Sequence, residues 1–332
     1  MSRQVDVLVV ALPTTAGWRG AVPALAAAIE RAGASVAVAA AAPVREVRTF
    51  VLTDLVQAHA ARTAALAGIA AHRPRALVYA SATAGLLGPR PGAIWFDSPA
   101  AENRPGRHGL WQRPLERRRV ARAPLLLPMS EGGLAGLDPR PAAPEVVLPV
   151  PVEPSGPPEP AAGATRDVAA LAYAADAEKK GLARILAAWA SARRPDETLL
   201  VAGQPAGPLG EGAEGTGLLA PDAYRALLRR ARVFVAAPRH EDFGIAQLEA
   251  LADGCRLVSA PAGGPYPALA LARALDPRLV SDDLPTAIRT ALDASPDDYA
   301  ERAAALLAPY RRAAFDATVS ERVLPALLAE RA

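Results

Sequence analysis

The chain has 332 residues, a length that suits two domains of ordinary size, and 51% of them are hydrophobic, which is enough for sizeable cores. Its net charge of +3 is only mildly basic, so we expect no nucleic-acid partner. The single cysteine, Cys255, excludes an internal disulfide and a cysteine metal cluster, and the apolar runs are too short to span a bilayer. Because the start of the chain also lacks the pattern of a secretory signal, the sequence predicts a soluble cytoplasmic protein.

In the first half of the chain, short apolar runs alternate with segments of helical length. The predicted strands are Val5–Leu12, Ser35–Ala41, Ala76–Ala80, Ala93–Phe96, Leu125–Pro128 and Val146–Val150. The predicted helices are Ala21–Ala32, Thr53–His72 and Leu110–Ala121. Thr14–Gly20 is predicted to be a loop after the first strand. The regular alternation implies a parallel sheet with helices on both faces.

The proline-rich segment Pro149–Gly163 marks a boundary, because it can sustain neither a helix nor a central strand. After it the alternation resumes. The predicted elements are strands Val168–Ala174, Thr198–Ala202 and one beginning at Val233, and helices Gly181–Arg193, Pro221–Ala231, Pro265–Leu275, Pro285–Ala294, Pro296–Ala308 and Tyr310–Leu328, the last with a break near Pro325. The expected organisation is two doubly wound α/β domains, at 1–150 and 164–308, joined by a linker at 151–163. Such domains place a ligand in the cleft between their strand C-termini.

The most informative segment runs from Val233 to Gly264 and reads as strand, loop, helix, strand and loop. Glu241 lies in the first loop, and Glu249 follows one turn into the helix. Gly244 stands where the loop becomes the helix, so free backbone N–H groups should point at any ligand there. An anion held at a helix N-terminus beside two carboxylates that accept from hydroxyls describes a site for a sugar joined to a diphosphate.

Lys179 and Lys180 are the only lysines of the chain, and they lie with Gly181 between the first strand and first helix of the second domain. A lysine at that point can reach a phosphate as a point charge. The alternative is a solvated lysine pair at a helix start, where the helix macrodipole disfavours positive charge.

Three other features of the sequence bear on phosphate, metal and membrane binding. Gly210–Gly215 matches the dinucleotide fingerprint but does not join a strand to a helix, so it is predicted to be an ordinary loop. There is no Walker A sequence and no Asp-x-Asp, so we expect no bound metal, and a departing diphosphate must be stabilised by helix N-termini, Lys180 and Arg19. Arg104–Arg122 carries seven arginines, interleaved with His108 and Trp111. This stretch is either a solvated helix face or a contact surface for an acidic acceptor or an anionic membrane.

The stretch His240–Gly254 strongly resembles the E-x7-E signature of retaining family 4 glycosyltransferases of the GT-B fold. The resemblance covers the second domain, including Tyr173–Gly181 with its lysine-glycine and Leu199–Gly203. In the first domain only the general pattern is similar, with the glycines Gly17 and Gly20 in the loop after the first strand. The resemblance implies that residues 309–332 form a helix crossing back to the first domain.

The resemblance also implies roles for individual residues. Glu241 would bind donor-sugar hydroxyls, Lys180 would contact the diphosphate, and Glu249 would accept from the ribose. The other implied donor-binding residues are Lys179, Phe243, Gly244, Ile245, Gly203, Leu219, Gly17, Arg19 and Gly20. Two positions depart from the family: Ala175 stands where an arginine is usual, and Trp95–Ser98 where a histidine is often found, which leaves Asp97 as the candidate there.

The sequence therefore predicts a retaining glycosyltransferase that uses a nucleotide sugar, UDP- or GDP-linked, as substrate and needs no cofactor. The acceptor is a glycan, a lipid-linked molecule or a small molecule, and the enzyme works in the cytoplasm, with contact to the inner face of the membrane as an open alternative. Because of Ala175 and the missing histidine, a catalytically inactive sugar-nucleotide-binding scaffold is a second hypothesis. A nucleotide-sugar epimerase of the same fold is a third.

Overall fold

The computed structural model describes residues 4–13, 16–44, 50–104, 106–137, 140–156, 166–295 and 297–329. The chain divides into two compact units: the first contains residues up to 151 together with those from 312 onward, and the second contains 152–311. The predicted linker 151–163 lies partly outside the described residues. Of its described part, Pro151 ends the first unit and residues 152–156 belong to the second, where Val152 N–H donates to the Tyr310 carbonyl at 2.7 Å.

The first unit is built on a parallel sheet whose described strands run in the order β2-β1-β3-β4-β5. These strands are β1 (Val7–Ala11), β2 (Val36–Ala40), β3 (Ala76–Ala80), β4 (Ala93–Phe96) and β5 (Leu126–Pro128). The central strands are continuous apolar runs because helices cover both of their faces. All five lie within the predicted strands.

The helices of this unit form a layer on each face of the sheet. They are α1 (Ala16–Arg31), α2 (Phe50–His72), α3 (Ala82–Leu86), α4 (Ala100–Asn103), α5 (Gln112–Ala121) and α6 (Glu131–Ala135). Side chains alternate along β4: Trp95 contacts Trp18 of α1, whereas Ile94 and Phe96 pack with Val120 of α5. Helices α1 and α5 therefore cover opposite faces.

The prediction that Thr14–Gly20 is a loop was wrong from residue 16 onward, and residues 14 and 15 lie outside the described part. Helix α1 already includes Gly17, Arg19 and Gly20. Trp18 is buried against Trp95, with 5.4 Å between the ring centroids, and Ala21 and Leu25 continue the buried face. This packing outweighs the low helix propensity of the two glycines.

Val146–Val150 is not a regular strand, contrary to prediction. Its N–H groups at Val146 and Leu148 donate to the carbonyls of Leu126 and Pro128, so it follows β5 for a short distance. Pro149 has no N–H with which to continue the ladder. The short helices α3, α4 and α6 were not predicted, because each is only about one turn long.

The second unit has its own sheet, in the order β11-β10-β6-β7-β9-β8, with parallel pairs except β8 with β9. Its strands are β6 (Val168–Tyr173), β7 (Leu199–Ala202), β8 (Gly207–Gly210), β9 (Ala213–Gly215), β10 (Ala231–Ala236) and β11 (Arg256–Ser259). The prediction of a plain loop at Gly210–Gly215 was wrong, because these residues form a hairpin between β8 and β9.

In the second unit, helices follow the strands β6, β9, β10 and β11. They are α7 (Leu182–Ala192), α8 (Pro221–Arg230), α9 (Ile245–Ala252), α10 (Pro267–Leu275), α11 (Leu284–Leu292) and α12 (Tyr299–Leu306). The prediction of two parallel-sheet α/β domains is thus confirmed.

The final helical segment returns to the first unit. It comprises α13 (Arg312–Thr318), a π-helical turn at Val319–Val323 and α14 (Leu324–Leu328). Phe315 contacts Trp95, and Asp316 forms an ion pair with Arg31 of α1 at 2.7 Å. There is no break at Pro325, contrary to prediction, because the wider π turn precedes the proline and accommodates its missing N–H.

Among the described helices, none combines the length and the apolar composition that crossing a bilayer requires.

Candidate functional site

The loop between β10 and α9 is held in a shape that requires glycine. Gly244 caps α9 with φ of 81°, in the left-handed region that other residues avoid. A Cβ atom at Gly244 would lie 2.6 Å from the ring of Tyr266, so the loop also packs too closely for a side chain. The free N–H groups at the start of α9 therefore sit at a fixed position beside the C-terminal end of β10.

A second glycine places the lysine pair next to this loop. Gly181 caps α7 with φ of 68°, and a Cβ atom there would lie 2.0 Å from the carbonyl oxygen of Ala237. The start of α7 thus packs directly on the backbone that follows β10. This close approach brings Lys180 beside Glu241, although the two are 61 residues apart in the sequence.

Lys180 and Glu241 form the tightest ion pair of this region, with 2.5 Å between Nζ and Oε2. Their side chains are 19% and 6% exposed, so the contact is largely shielded from solvent. Gln247 donates from Nε2 to the same carboxylate oxygen at 3.4 Å. The backbone of Glu241 is fixed as well, since its N–H donates to the Gly263 carbonyl. The carboxylate is therefore positioned both by its own contacts with Lys180 and Gln247 and by the backbone hydrogen bond.

A small recess lies next to this ion pair within the second unit. Its lining is mostly apolar, and its polar members include Tyr173, Lys180 and Gln247. The Lys180 side chain therefore borders this recess as well as contacting Glu241.

Lys179 points to a different carboxylate. Its Nζ lies 3.4 Å from Asp242, which also contacts Nε2 of His240 at 3.2 Å. Burial opposes the ionisation of Asp242, but the hydrogen bond from His240 and the charge of Lys179 outweigh it, so the pKa of Asp242 is lowered. The two adjacent lysines thus stand in separate ion pairs.

Glu249 lies in α9 and is 24% exposed. Its nearest cation is Arg225 of α8, at 3.5 Å, and that guanidinium also pairs with Asp253 at 2.7 Å. Burial raises the pKa of Glu249 to about 7, because Arg225 compensates only in part and the charge of Asp253 adds to the shift. The hydroxyl of Tyr224 is buried in this neighbourhood, with no hydrogen-bond partner among the described residues.

The remaining predicted positions of the second unit lie on connecting segments. Phe243 is buried against Tyr310, and Ile245 is the first residue of α9. Gly203 follows β7 with φ of 89°, and a Cβ there would meet the backbone of Ala175 at 2.8 Å. Leu219 is half-buried between β9 and α8. The position where the family usually has an arginine therefore packs against a glycine.

The first-unit candidates lie on two separate elements. Asp97 follows β4, and its carboxylate accepts from the N–H of Ser98 at 2.9 Å. Gly17, Arg19 and Gly20 lie in α1 instead of a loop, and Arg19 is exposed.

Sequence reasoning missed four residues of this region: Asp242, Gln247, Arg225 and Asp253. Asp242 and Gln247 stand inside the segment already singled out, one and six residues after Glu241, so helix geometry could have found Gln247. Arg225 comes from a separate helix, and no local pattern distinguishes it from the other arginines of α8. In the part of the chain that the structure describes, no group of three or more metal-ligating side chains occurs.

Residues 167–313 match the family model described as Glycosyl transferases group 1. The match covers 147 of the 332 residues, and the second unit is therefore similar to a glycosyltransferase group 1 domain. The match begins just before β6 and ends just after the second unit, so it includes Lys180, Glu241 and Glu249. No curated protein sequence matches the chain.

Solved structures of glycosyltransferases are similar to the whole chain. WaaG, a glycosyltransferase involved in lipopolysaccharide biosynthesis, is 15% identical with a TM-score of 0.70, over 98% of this chain and 100% of that one. The sucrose-phosphate synthase of Thermosynechococcus elongatus is 18% identical with a TM-score of 0.67, over 95% and 96%. HepE of Anabaena, in complex with UDP and glucose, is 13% identical with a TM-score of 0.62, over 96% and 99%. These likenesses show a GT-B fold.

Proposed function

We propose that this protein is a retaining, metal-independent glycosyltransferase that moves a sugar from a nucleoside-diphosphate sugar to an acceptor hydroxyl. The observation that carries the proposal is the Lys180–Glu241 contact beside the N-terminus of α9, inside the unit that is similar to a glycosyltransferase group 1 domain. The family match and the fold support the transferase class. The retaining stereochemistry rests on the resemblance to family 4 glycosyltransferases, and the metal independence and the donor class rest on the chemistry of the site.

The groups at the start of α9 suit the two ends of a nucleotide sugar. Free N–H groups near Gly244 can donate to sugar oxygens and to the diphosphate, where the helix dipole favours negative charge. In the structure, the charges of Lys180 and Glu241 satisfy each other. A bound diphosphate would draw the Lys180 ammonium toward itself, which leaves the Glu241 carboxylate to accept from the hydroxyls of the sugar.

The proposed reaction needs no enzymatic nucleophile. The bond between the anomeric carbon and the diphosphate oxygen breaks, and the acceptor oxygen bonds to the anomeric carbon on the same face. The acceptor proton passes to the departing phosphate oxygen. Lys180 and the α9 amides stabilise the charge that grows on the diphosphate, which is the part of the transition state that differs most from the bound donor.

We propose UDP-sugars first and GDP-sugars second as donors. Support comes from HepE, which has a similar fold and is described in complex with UDP and glucose. Glu249 is the proposed acceptor for ribose hydroxyls, and Leu219 stands on the segment proposed to flank the base.

A thermal-shift screen with UDP-, GDP-, ADP- and TDP-sugars tests the donor, because a ligand that binds only the folded state raises its stability by mass action. We expect a UDP- or GDP-sugar to give the largest shift. Proton NMR of the transfer or hydrolysis product of that donor then tests the stereochemistry, with retention of the anomeric configuration expected. Activity should be unchanged by EDTA. Inversion, or loss of activity with EDTA that added Mg²⁺ restores, would refute the corresponding part of the proposal.

One observation favours a second candidate, a sugar-nucleotide-binding protein without catalytic activity. Ala175 and Gly203 pack together where the resembling family usually has an arginine, so this site has one cation fewer for the diphosphate. Tight donor binding with neither transfer nor donor hydrolysis would support this candidate. Conversion of the nucleotide sugar to its epimer, without acceptor, would instead support the epimerase hypothesis.

A further inference from the structure

Gln247 lies in the first turn of α9 and is buried, with 3% of the residue exposed. Its Nε2 atom lies 3.4 Å from Oε2 of Glu241, the same oxygen that the Lys180 ammonium contacts at 2.5 Å. The amide nitrogen faces the carboxylate because an ionised carboxylate only accepts hydrogen bonds. At 3.4 Å the bond from the amide is long, so the lysine is the closer partner of this oxygen in the structure.

The other end of the Gln247 amide contributes no hydrogen bond to the fold. Its Oε1 atom is buried and has no hydrogen-bond partner among the described residues. A Cβ atom at Gly244 would lie 3.3 Å from this oxygen, which therefore sits against the loop that begins α9. A buried carbonyl oxygen without a partner lowers the stability of the folded state. An apolar side chain of similar length should therefore stabilise the helix at least as well, and what the amide adds is its N–H at Glu241.

The first unit contains a similar arrangement in which both carboxylate oxygens are paired. Gln112 is buried, its Nε2 donates to Oδ2 of Asp54 at 3.1 Å, and Arg104 donates to the same oxygen from Nε. Nη2 of the same guanidinium binds the other oxygen, Oδ1, at 3.1 Å. At Glu241 both donating side chains act on Oε2, and no described side chain donates to Oε1. Glu241 thus keeps one oxygen that can accept from a ligand hydroxyl.

The two donors to Glu241 differ in how strongly a phosphate competes for them. Lys180 is a charged group on a flexible stem, so its ammonium can turn from one anion to another. The amide of Gln247 is uncharged and buried in a helix, so a diphosphate competes for it less. If the lysine turns away, the hydrogen bond from the Glu241 N–H to Gly263 still fixes the backbone, but it does not select the side-chain rotamer. Among the described side chains, Gln247 is then the remaining donor to this carboxylate.

We propose that Gln247 is a positioning residue, which holds the Glu241 carboxylate toward the sugar while the diphosphate of the donor takes Lys180. The inference rests on the proposed function, because it requires a donor that carries both a diphosphate and a sugar. In the free protein the lysine holds Oε2. In the complex the amide holds Oε2, and Oε1 accepts from a sugar hydroxyl. Gln247 acts through Glu241 and does not itself touch the donor.

Gln247→Met tests the proposal, since methionine fills a similar volume without an N–H. Isothermal titration calorimetry compares the affinity for the nucleotide sugar found by the thermal-shift screen with the affinity for the matching nucleoside diphosphate. We expect the variant to bind the nucleotide sugar about tenfold more weakly, as for a lost hydrogen bond to a charged group, and the nucleoside diphosphate within about twofold of the parent protein. A merely structural role of Gln247 would weaken both ligands alike.

Gln112→Met is the matched control, because it removes a buried amide that also donates to a carboxylate, in the other unit. It should leave the affinities for both ligands unchanged. Loss of neither affinity in Gln247→Met, or equal loss of both, would overturn this proposal and leave the proposed function standing. A parent protein that binds neither ligand would overturn both.

A second measurement needs no ligand. In the parent protein Lys180 still holds Glu241, so Gln247→Met should leave the melting temperature equal or higher, because the unpaired amide oxygen is gone. In the Lys180→Ala background the same substitution removes the remaining side-chain donor from a buried carboxylate, so it should lower the melting temperature by several degrees. Equal effects of Gln247→Met in the two backgrounds would show that the amide does not replace the lysine, and would overturn the proposal.

Discussion

Glu241 and Glu249 lie eight residues apart in one segment, yet their side chains lie in different electrostatic environments. Glu241 contacts a single lysine at 2.5 Å and is held from behind by Gln247. Glu249 contacts an arginine at 3.5 Å that it shares with Asp253, and burial raises its pKa to about 7. The two carboxylates of one sequence signature therefore differ in their cationic partner and in how well that partner compensates their burial.

The cause of the difference lies in the partner elements. Lys180 reaches Glu241 because Gly181 allows α7 to pack on the backbone that follows β10. Among the described contacts, Glu241 is the only carboxylate that Lys180 binds. Arg225 also donates to the carbonyl of Glu153. Its Nε lies 2.7 Å from Asp253, whereas its Nη1 lies 3.5 Å from Glu249. A cation with several partners compensates each of them less. We expect the Glu241 side chain to be in position before the donor binds, and the Glu249 side chain to gain a hydrogen-bond partner only when the donor binds.

The largest expected effect comes from removing the tighter pair. Lys180→Ala and Glu241→Ala should each lower kcat/KM by an amount equivalent to roughly 2–4 kcal/mol of transition-state stabilisation. Steady-state kinetics with the donor found by the screen measures this. Near-normal transfer by both variants would contradict the assigned roles.

The double variant separates the catalytic from the structural effect of the pair. Lys180→Ala alone leaves a buried carboxylate without its partner, so it should lower the free energy of unfolding more than the double variant does. The catalytic losses should not be recovered in the double variant, because each side chain is proposed to bind a different part of the donor. Recovery of activity in the double variant would mean that the single variants failed for structural reasons.

The close approach at Gly181 offers a way to disturb the pair without touching its charges. Gly181→Ala combines a left-handed φ with a Cβ atom 2.0 Å from the Ala237 carbonyl oxygen, so we expect a loss of about 3 kcal/mol in the free energy of unfolding. Gly33→Ala is the matched control: its φ is +86° but nothing lies near its Cβ, so it should cost only about 1 kcal/mol. Denaturant unfolding compares the two, and equal losses would show that the contact with Ala237 is relaxed easily.

The sequence revealed the Glu241 half of this comparison better than the Glu249 half. Lys180 and Glu241 stand in loops that follow parallel strands, and the strand order of such a sheet brings those loops together, so their proximity could be predicted. Arg225 is one of three arginines in α8, and only the packing of α8 on α9 selects it. The start of α1 was missed for the same reason, because a contact between residues far apart in the chain cannot be read from local sequence. Trp18 is buried against Trp95, which lies in β4.

The raised pKa of Glu249 predicts a pH dependence of donor binding. Below pH 7 the side chain is mainly protonated, and above it is mainly ionised and better able to accept from ribose hydroxyls. We therefore expect the affinity for the nucleotide to increase about tenfold from pH 6 to pH 8, equivalent to about 1.4 kcal/mol. Isothermal titration calorimetry measures this, with Glu249→Gln as the control that should remove the dependence. A parent protein with the same affinity at both pH values would contradict the assignment of Glu249 to the ribose.

Without donor, the same carboxyl should act on stability in the opposite direction. The pKa of Glu249 is about 7 in the folded state, above its ordinary value of 4.5. Between these two pH values the folded state therefore binds more protons than the unfolded state. The free energy of unfolding should consequently fall as the pH rises from 4.5 to 7. Glu249→Gln should flatten that part of the pH profile. Denaturant unfolding at several pH values measures it, and an unchanged slope would place the titration on another group.

The smallest expected effect concerns the neighbour of Lys180. Lys179 is 49% exposed and contacts Asp242 at 3.4 Å, in an ion pair that solvent largely screens. Lys179→Ala should therefore change both the free energy of unfolding and kcat/KM by less than about 1 kcal/mol. The resemblance allows the other outcome, because Ala175 removes a cation that Lys179 could replace. A loss as large as that of Lys180→Ala, measured with the same donor, would mean that the diphosphate recruits both lysines and that the Asp242 contact is given up on binding.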